Sequence, residues 1–228
     1  MQTSPIRWSH SQLEKFKNCP YSWYRIYKVK DIERSESTAS KWGNYVHEGA
    51  ENFVQKGTPL PADVTAAYGS TMGPILSFLM SKPSVMVEPH RGITEDMQAL
   101  ADPDDPSCWS HGFIDIVAKE GKHAWIADWK TGQSVWPSNQ LKLYSAYEFI
   151  HNPELETITA SYVRLPYKRI DSAVYTRAQV SELLTPYRVT YATLLSHIAN
   201  NNFPKIAGKL CGHCEVLDCP KNRVKERT

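Results

Sequence analysis

Three charged residues stand where a half-buried strand would ordinarily carry apolar side chains: Asp115 in GFIDIVAK, and Asp128 and Lys130 in HAWIADWK. Side chains alternate along a strand, so Phe113 and Asp115 share one face, and Ile126, Asp128 and Lys130 share another. The short turn from Lys119 to Lys122 joins the two segments as a hairpin, which would bring the two aspartates together. Two carboxylates in a partly buried place repel one another unless a cation sits between them. A hard divalent ion, Mg²⁺ or Mn²⁺, fits that role through carboxylate oxygens and retained waters. Lys130 would then orient or activate a water and stabilise charge on a phosphate. An isolated Asp-x-Lys is more often a solvated surface pair, so the surrounding chain has to decide between the two.

The elements that would hold these residues are legible in outline. Ser11, Gln12, Leu13 and Glu14 resemble a capping box opening a short helix through Lys17, interrupted by Pro20. Helices are predicted from Lys41 to Lys56, stopping at Gly57, and from Ala62 to Lys82. SVMVE, GITEDMQAL, HGFIDIVAK and HAWIADWK read as strands, and a helix follows from Ser138 to Ile150. TITASYVRL and KRIDSAVYT form a further strand pair linked through Pro166, before a long helix from Ala178 to Asn200. Helices, a mixed central sheet of four or more strands, and helices again predict an α/β (α+β) core. No internal repeat or low-complexity linker divides the sequence, so residues 1–228 read as a single domain.

The charge balance is nearly even, Lys+Arg 26 against Asp+Glu 24, so any affinity for nucleic acid must rest on local patches. The start lacks a signal-peptide pattern and no run of about 18 apolar residues occurs; a cytoplasmic protein with no membrane segment is expected. In a reducing compartment thiols are metal ligands or free more often than disulfides. Cys211, Cys214 and Cys219, the last followed by Pro220, are spaced as ligands but leave a four-coordinate site one short, and Cys19 is the natural distant fourth. Such a site would join the two chain ends and remove much unfolded-state entropy. Cys108, in an acidic loop with prolines, reads as free.

Taken together, these motifs resemble the PD-(D/E)xK nuclease superfamily, and more narrowly its RecB-type branch, which includes helicase-linked exonucleases, phage exonucleases and the iron-sulfur nuclease of CRISPR adaptation. That branch adds a helical histidine before the hairpin and Gln-x-x-x-Tyr after it. WGNYVHEGAE supplies Gly43 and His47, and NQLKLYSAY supplies Gln140 and Tyr144. The resemblance implies a restriction-endonuclease-like core and a catalytic set of Asp115, Asp128, Lys130, Gln140 and Tyr144. It places a Mg²⁺ or Mn²⁺ ion on His47, Asp115, Asp128 and the backbone carbonyl of Trp129; beside that set, Glu51 lies one helical turn after His47 on the same face as a candidate support behind the ligands, and Glu88, at the end of the first strand, is a candidate acidic neighbour. It also implies a [4Fe-4S] cluster on Cys19, Cys211, Cys214 and Cys219. The spacing from Cys214 to Cys219 is one residue shorter than the family pattern, which keeps Zn²⁺ open as the alternative, with His213 in place of a thiol.

The activity implied is a small exonuclease hydrolysing phosphodiester bonds at single- or double-stranded DNA ends, in resection, recombination, repair or DNA degradation. A phage source (and then the host cytoplasm) and a recombination or helicase partner fit that reading; oligomeric state stays open. A structure-selective endonuclease, or a noncatalytic nucleic-acid-binding module with a zinc or iron-sulfur staple, is the alternative. No G-x-x-x-x-G-K-[ST] phosphate loop is present, so ATP use is not expected. For DNA contact the candidates are the two ends, 1–34 and 203–228, where Lys15, Lys17 and Arg25 interleave with aromatics and Lys221, Arg223, Lys225 and Arg227 follow, and the RLPYKR segment with Arg164 and Lys168. Inward packing of the N-terminal aromatics is the equal alternative.

Overall fold

The computed structural model describes residues 6–33, 36–132 and 139–224; the expected helix start at Ser138 and the tail residues Lys225 and Arg227 lie outside them. The helices are α1 (His10–Asn18), α2 (Pro20–Trp23), α3 (Thr38–Lys56), α4 (Ala62–Met80), α5 (Gln140–His151) and α6 (Val180–Ala199). The strands are β1 (Ser84–Val87), β2 (His90–Ile93), β3 (Ala99–Leu100), β4 (Ser110–Phe113), β5 (Ile116–Glu120), β6 (His123–Lys130), β7 (Thr157–Arg164) and β8 (Arg169–Thr176). By internal contacts the chain divides into two units, Met1–Arg7 with Ser37–Leu184, and Trp8–Glu36 with Thr185–Thr228.

The first unit is built on a five-stranded sheet of order β1-β5-β6-β7-β8. β6 and β7 run parallel and the other neighbours antiparallel, so the sheet is mixed, as the sequence predicts. A parallel pair needs a long crossover, and α5 lies in that connection. The β5–β6 hairpin closes on Gly121, whose φ of 58° is the left-handed conformation a two-residue turn favours.

In two places the predicted strands break. GITEDMQAL splits into β2 and β3 around a turn at Thr94–Gln98, and HGFIDIVAK splits into β4 and β5. β4 belongs to a separate three-stranded sheet of order β3-β2-β4. Asp115 sits in the gap, and the Phe113–Ile114 interruption of the alternation is the sequence trace of that break.

Helices cover both faces of the large sheet. Val46 and Ala50 of α3 and Met72, Leu76 and Leu79 of α4 bury against Ile116, Ala118, Ala127, Trp129 and Val163; each buried Val, Leu, Ile or Met side chain contributes about 1.5–3 kcal/mol. Ser37 caps α3 by accepting from Ser40 N–H at 3.1 Å, and Gly57, with φ 66°, ends it. Gly43 permits a close approach: a Cβ there would stand 3.1 Å from Thr131 Oγ1, just past β6.

α5 covers the other face. Its C-terminal half is fastened to the small sheet by the Arg91 Nε–Glu148 Oε1 ion pair (2.6 Å, Glu148 fully buried) and by a Ser110–Tyr147 hydroxyl hydrogen bond of 2.6 Å. The first turn of α5 is thereby held in register with the end of β6.

In the second unit α1 is capped by Ser9, which accepts from Gln12 N–H, two residues earlier than the expected cap at Ser11. Pro20 interrupts as expected and then opens α2 at its first position, where a missing N–H costs nothing. Leu13, Phe16, Trp23, Ile26 and Val216 are buried. Trp8 stacks on Tyr187 at 5.3 Å, and Tyr24 on Phe203 at 4.4 Å. Among the described residues no helix is long and apolar enough to cross a membrane.

Candidate active site

β5 starts at Ile116, paired with Ala127, so beyond Ala127 the β6 backbone loses its ladder partner on that side. The exposed groups of Trp129 are taken up by side chains instead. Its N–H donates to Asp115 Oδ2 at 2.7 Å, and its carbonyl lies 3.0 Å from His47 Nε2. The other ring nitrogen of His47 is 3.3 Å from Asp115 Oδ2. Glu88, immediately after β1, donates its backbone N–H to the Asp115 carbonyl at 3.0 Å and adopts φ 49°, a strained value for a non-glycine residue. One ligand-capable atom from each of His47, Glu88 and Asp115 falls within 4.8 Å of the others.

The charges explain one another. Both His47 nitrogens face acceptors, which favours the imidazolium: burial opposes its charge, but Asp115, with Asp128 and Glu88 behind it, lifts its pKa to about 9. Burial and then Asp115 raise the Glu88 carboxyl to about 7. Asp128, 1% exposed, is pushed upward by burial and by Asp115 against the pull of Lys130. Its Oδ2 lies 2.5 Å from Lys130 Nζ yet has no hydrogen bond of good geometry. Three crowded carboxylates, an imidazole that becomes a donor when its proton is lost to a cation, and a buried oxygen poorly satisfied make a donor set that suits a hard divalent ion.

The family model described as the PD-(D/E)XK nuclease superfamily matches residues 7–77 and 109–219. The chain belongs to this superfamily. Its nucleases use divalent metals, and among the described residues His47, Glu88 and Asp115 lie close enough together to share one ion. No curated protein matches the chain in sequence. Among solved structures, a Eubacterium rectale protein provisionally named an exonuclease is 16% identical with a TM-score of 0.53, covering 99% of this chain and 93% of that one. The protein SSO0001 is 14% identical with a TM-score of 0.46 over 98% and 89%.

In this PD-(D/E)XK member Lys130 is fixed by α5. Gln140 Oε1 accepts from Lys130 Nζ at 2.9 Å and from Tyr162 hydroxyl at 3.2 Å, while Gln140 Nε2 donates to Tyr144 hydroxyl at 2.8 Å. Lys130 Nζ also stands 5.0 Å from the centre of the Tyr162 ring. Gln140 thus reaches Lys130, and Tyr144 reaches Gln140. Gln140→Ala is expected to lower kcat for nucleic-acid cleavage about tenfold, in proportion to one lost hydrogen bond to a charged group, with KM changed less than threefold; steady-state kinetics checks it.

Two residues near this group that the sequence underweights are Glu88, whose approach depends on a backbone turn with positive φ, and Tyr162, which the parallel register of β6 and β7 places beside Asp128. Glu51, one helical turn beyond His47, instead accepts from Gln55 Nε2 at 3.1 Å.

The four cysteines of the second unit are free thiols, each partly buried. Asn222 Nδ2 ties together the carbonyls of Cys214 and Val216, and Arg223 N–H donates to the Cys211 carbonyl. Among the described residues no three of these thiols come within 4.8 Å of one another. Cys108 is buried and lies apart in the first unit. Lys15 pairs with Glu215, Lys17 with Glu14, and Arg25 with Asp31 and Asp218, so these cations carry less free charge than their spacing predicts. Phe16 and Trp23 pack inward.

Proposed function

We propose that the chain is a RecB-type exonuclease that hydrolyses phosphodiester bonds at DNA ends with Mg²⁺ or Mn²⁺, serving end resection, recombination or DNA degradation. The observation that carries this is the His47, Glu88 and Asp115 group set beside the buried Asp128–Lys130 pair. The residues to hold the ion are His47, Glu88, Asp115, Asp128 and the Trp129 carbonyl. A bound divalent ion supplies an acidified water and neutralises charge growing on the phosphate. Lys130, pinned between Asp128 and Gln140, orients the attacking water and offsets equatorial charge. Tyr162 and Tyr144 hold Gln140, and so hold Lys130, against rotation.

A time course on end-labelled linear DNA with Mn²⁺ tests the reading. Label is expected in mononucleotides or short products from the first time points, and a chelator is expected to stop its release. A ladder of internal fragments formed before any terminal label is released would contradict it.

The second unit extends this reading. Cys19, Cys211, Cys214 and Cys219 all belong to it, and four thiols are the ligand set that iron-sulfur clusters take. We propose that they hold a [4Fe-4S] cluster with a structural role. Anaerobically prepared protein is expected to absorb broadly near about 400 nm, as thiolate-bound iron-sulfur centres do, and Cys214→Ser to lose that band. A colourless preparation with one zinc per chain would overturn the iron assignment.

A further inference from the structure

Strand register places two rows of side chains on the α5 face of the large sheet. In the first, Asp128, Tyr162 and Asp171 are neighbours on β6, β7 and β8; in the second, one pleat further, Lys130 adjoins Arg164 and Arg164 adjoins Arg169. At about 4.8 Å per strand the three cations span about 10 Å, from the lysine of the active site to the sheet edge. Like charges side by side on neighbouring strands are unfavourable, and here the carboxylates of the first row hold them in place. Asp128 takes Lys130, while Asp171 receives Arg169 Nε at 2.6 Å and Arg164 Nη1 at 3.5 Å.

Neutralising Asp171 does not account for this arrangement. The carboxylate is 5% exposed and one guanidinium would satisfy it, yet two are gathered, leaving one positive charge in excess across the two rows. The Arg169 side chain is 62% exposed, and its guanidinium has five N–H donors, of which Asp171 receives only Nε–H. Arg164 also packs over the Tyr167 ring at 4.7 Å, which limits its rotation. Planar donors, fixed in advance and carrying net positive charge, match the oxygens of a phosphate.

We infer that Lys130, Arg164 and Arg169 form a phosphate-tracking row, so that the substrate backbone leaves the cleavage site across β7 towards the β8 edge, with Asp171 as the positioning residue. Lys168, expected from the sequence as a contact, sits in the turn before β8 with φ 49° and outside the row; Arg169 takes its place. The inference rests on the nuclease reading.

Cleavage of linear DNA with Mn²⁺ over a range of salt concentrations tests it. Arg164→Gln and Arg169→Gln are each expected to raise KM about tenfold, the loss of one charge-assisted contact, with kcat within about threefold of wild type. Each should flatten the logarithmic salt slope by about 0.7–0.9. Arg164→Lys is expected to restore the slope but only part of KM, because a point charge replaces a fork. Arg169 is exposed enough for its variant to fold, which keeps the test open if Arg164→Gln does not fold. Wild-type activity with KM and slope unchanged in both glutamine variants would overturn the row and leave the nuclease intact. Wild type that neither binds nor cuts DNA with Mn²⁺ would overturn both.

Discussion

Asp115→Asn is expected to reduce Mn²⁺-dependent DNA cleavage by at least about a thousandfold, or about 4 kcal/mol of transition-state stabilisation, while leaving the fold intact. Asparagine keeps the shape and one oxygen able to accept from Trp129 N–H, the 2.7 Å bond that finishes β6 where its ladder ends. What it removes is the charge shared by His47, Glu88 and the metal position. Alanine would lose both charge and hydrogen bond, so the amide separates chemistry from packing. Single-turnover rates beside a thermal melt check this. A variant that melts like wild type and cuts within tenfold of its rate would remove Asp115 from the reaction.

The second large effect is on stability, and its sign depends on metal. Glu88 is an acid whose pKa rises from about 4.5 to about 7 on folding. The unfolded chain therefore loses this proton first, and the folded state loses stability as pH climbs from 4.5 to 7, with the cost fully present above pH 7. Because the group keeps some solvent, the cost is on the order of 1–2 kcal/mol. Glu88→Gln is accordingly expected to melt about 2–6 °C higher than wild type at pH 8 in a chelator. Mn²⁺ at a hundred times its dissociation constant should reverse the order, because it stabilises the wild type by about 2.7 kcal/mol and the variant by less. A variant that melts lower than wild type in chelator, or gains as much from Mn²⁺, would contradict the placing of Glu88 among the ligands.

This metal-sensitive balance is the part of the site the sequence conceals. Asp115, Asp128 and Lys130 are legible because charge in an apolar alternation is costly and calls for a reason, and the hairpin that joins them has a two-residue turn at a glycine. His47 and Gln140 are legible only in combination with those residues. Glu88 is not, because its place follows from a left-handed turn after β1 that no propensity favours. Helix positions hold to within a few residues because α3 and α4 carry long apolar stripes and a glycine stop. The strand break at Asp115 is less visible: a nine-residue run is divided between two sheets, and the Phe113–Ile114 interruption at the join is matched by another at Ile116–Val117 inside β5. Arg169 ends the RLPYKR patch in the sequence, but its alignment with Lys130 and Arg164 depends on the register of β6, β7 and β8 and not on any local spacing.

The cysteines show the reverse case. Their spacing is conspicuous in the sequence, yet among the described residues no three of their thiols lie within 4.8 Å of one another. The basic residues of α1 and the turn after α2 likewise stand out in sequence but are matched by Glu14, Asp31, Glu215 and Asp218, three of which are too far along the chain, or across a turn, for helical spacing to reveal.

The most direct test is to incubate wild-type protein, prepared anaerobically, with equal amounts of linear and covalently closed circular DNA in one tube with Mn²⁺. Loss of the linear molecule with the circle left whole, and no loss of either in chelator, is the result expected of an end-directed, metal-dependent nuclease. Cutting of the circle at the rate of the linear DNA, or survival of both with well-folded protein, would contradict it.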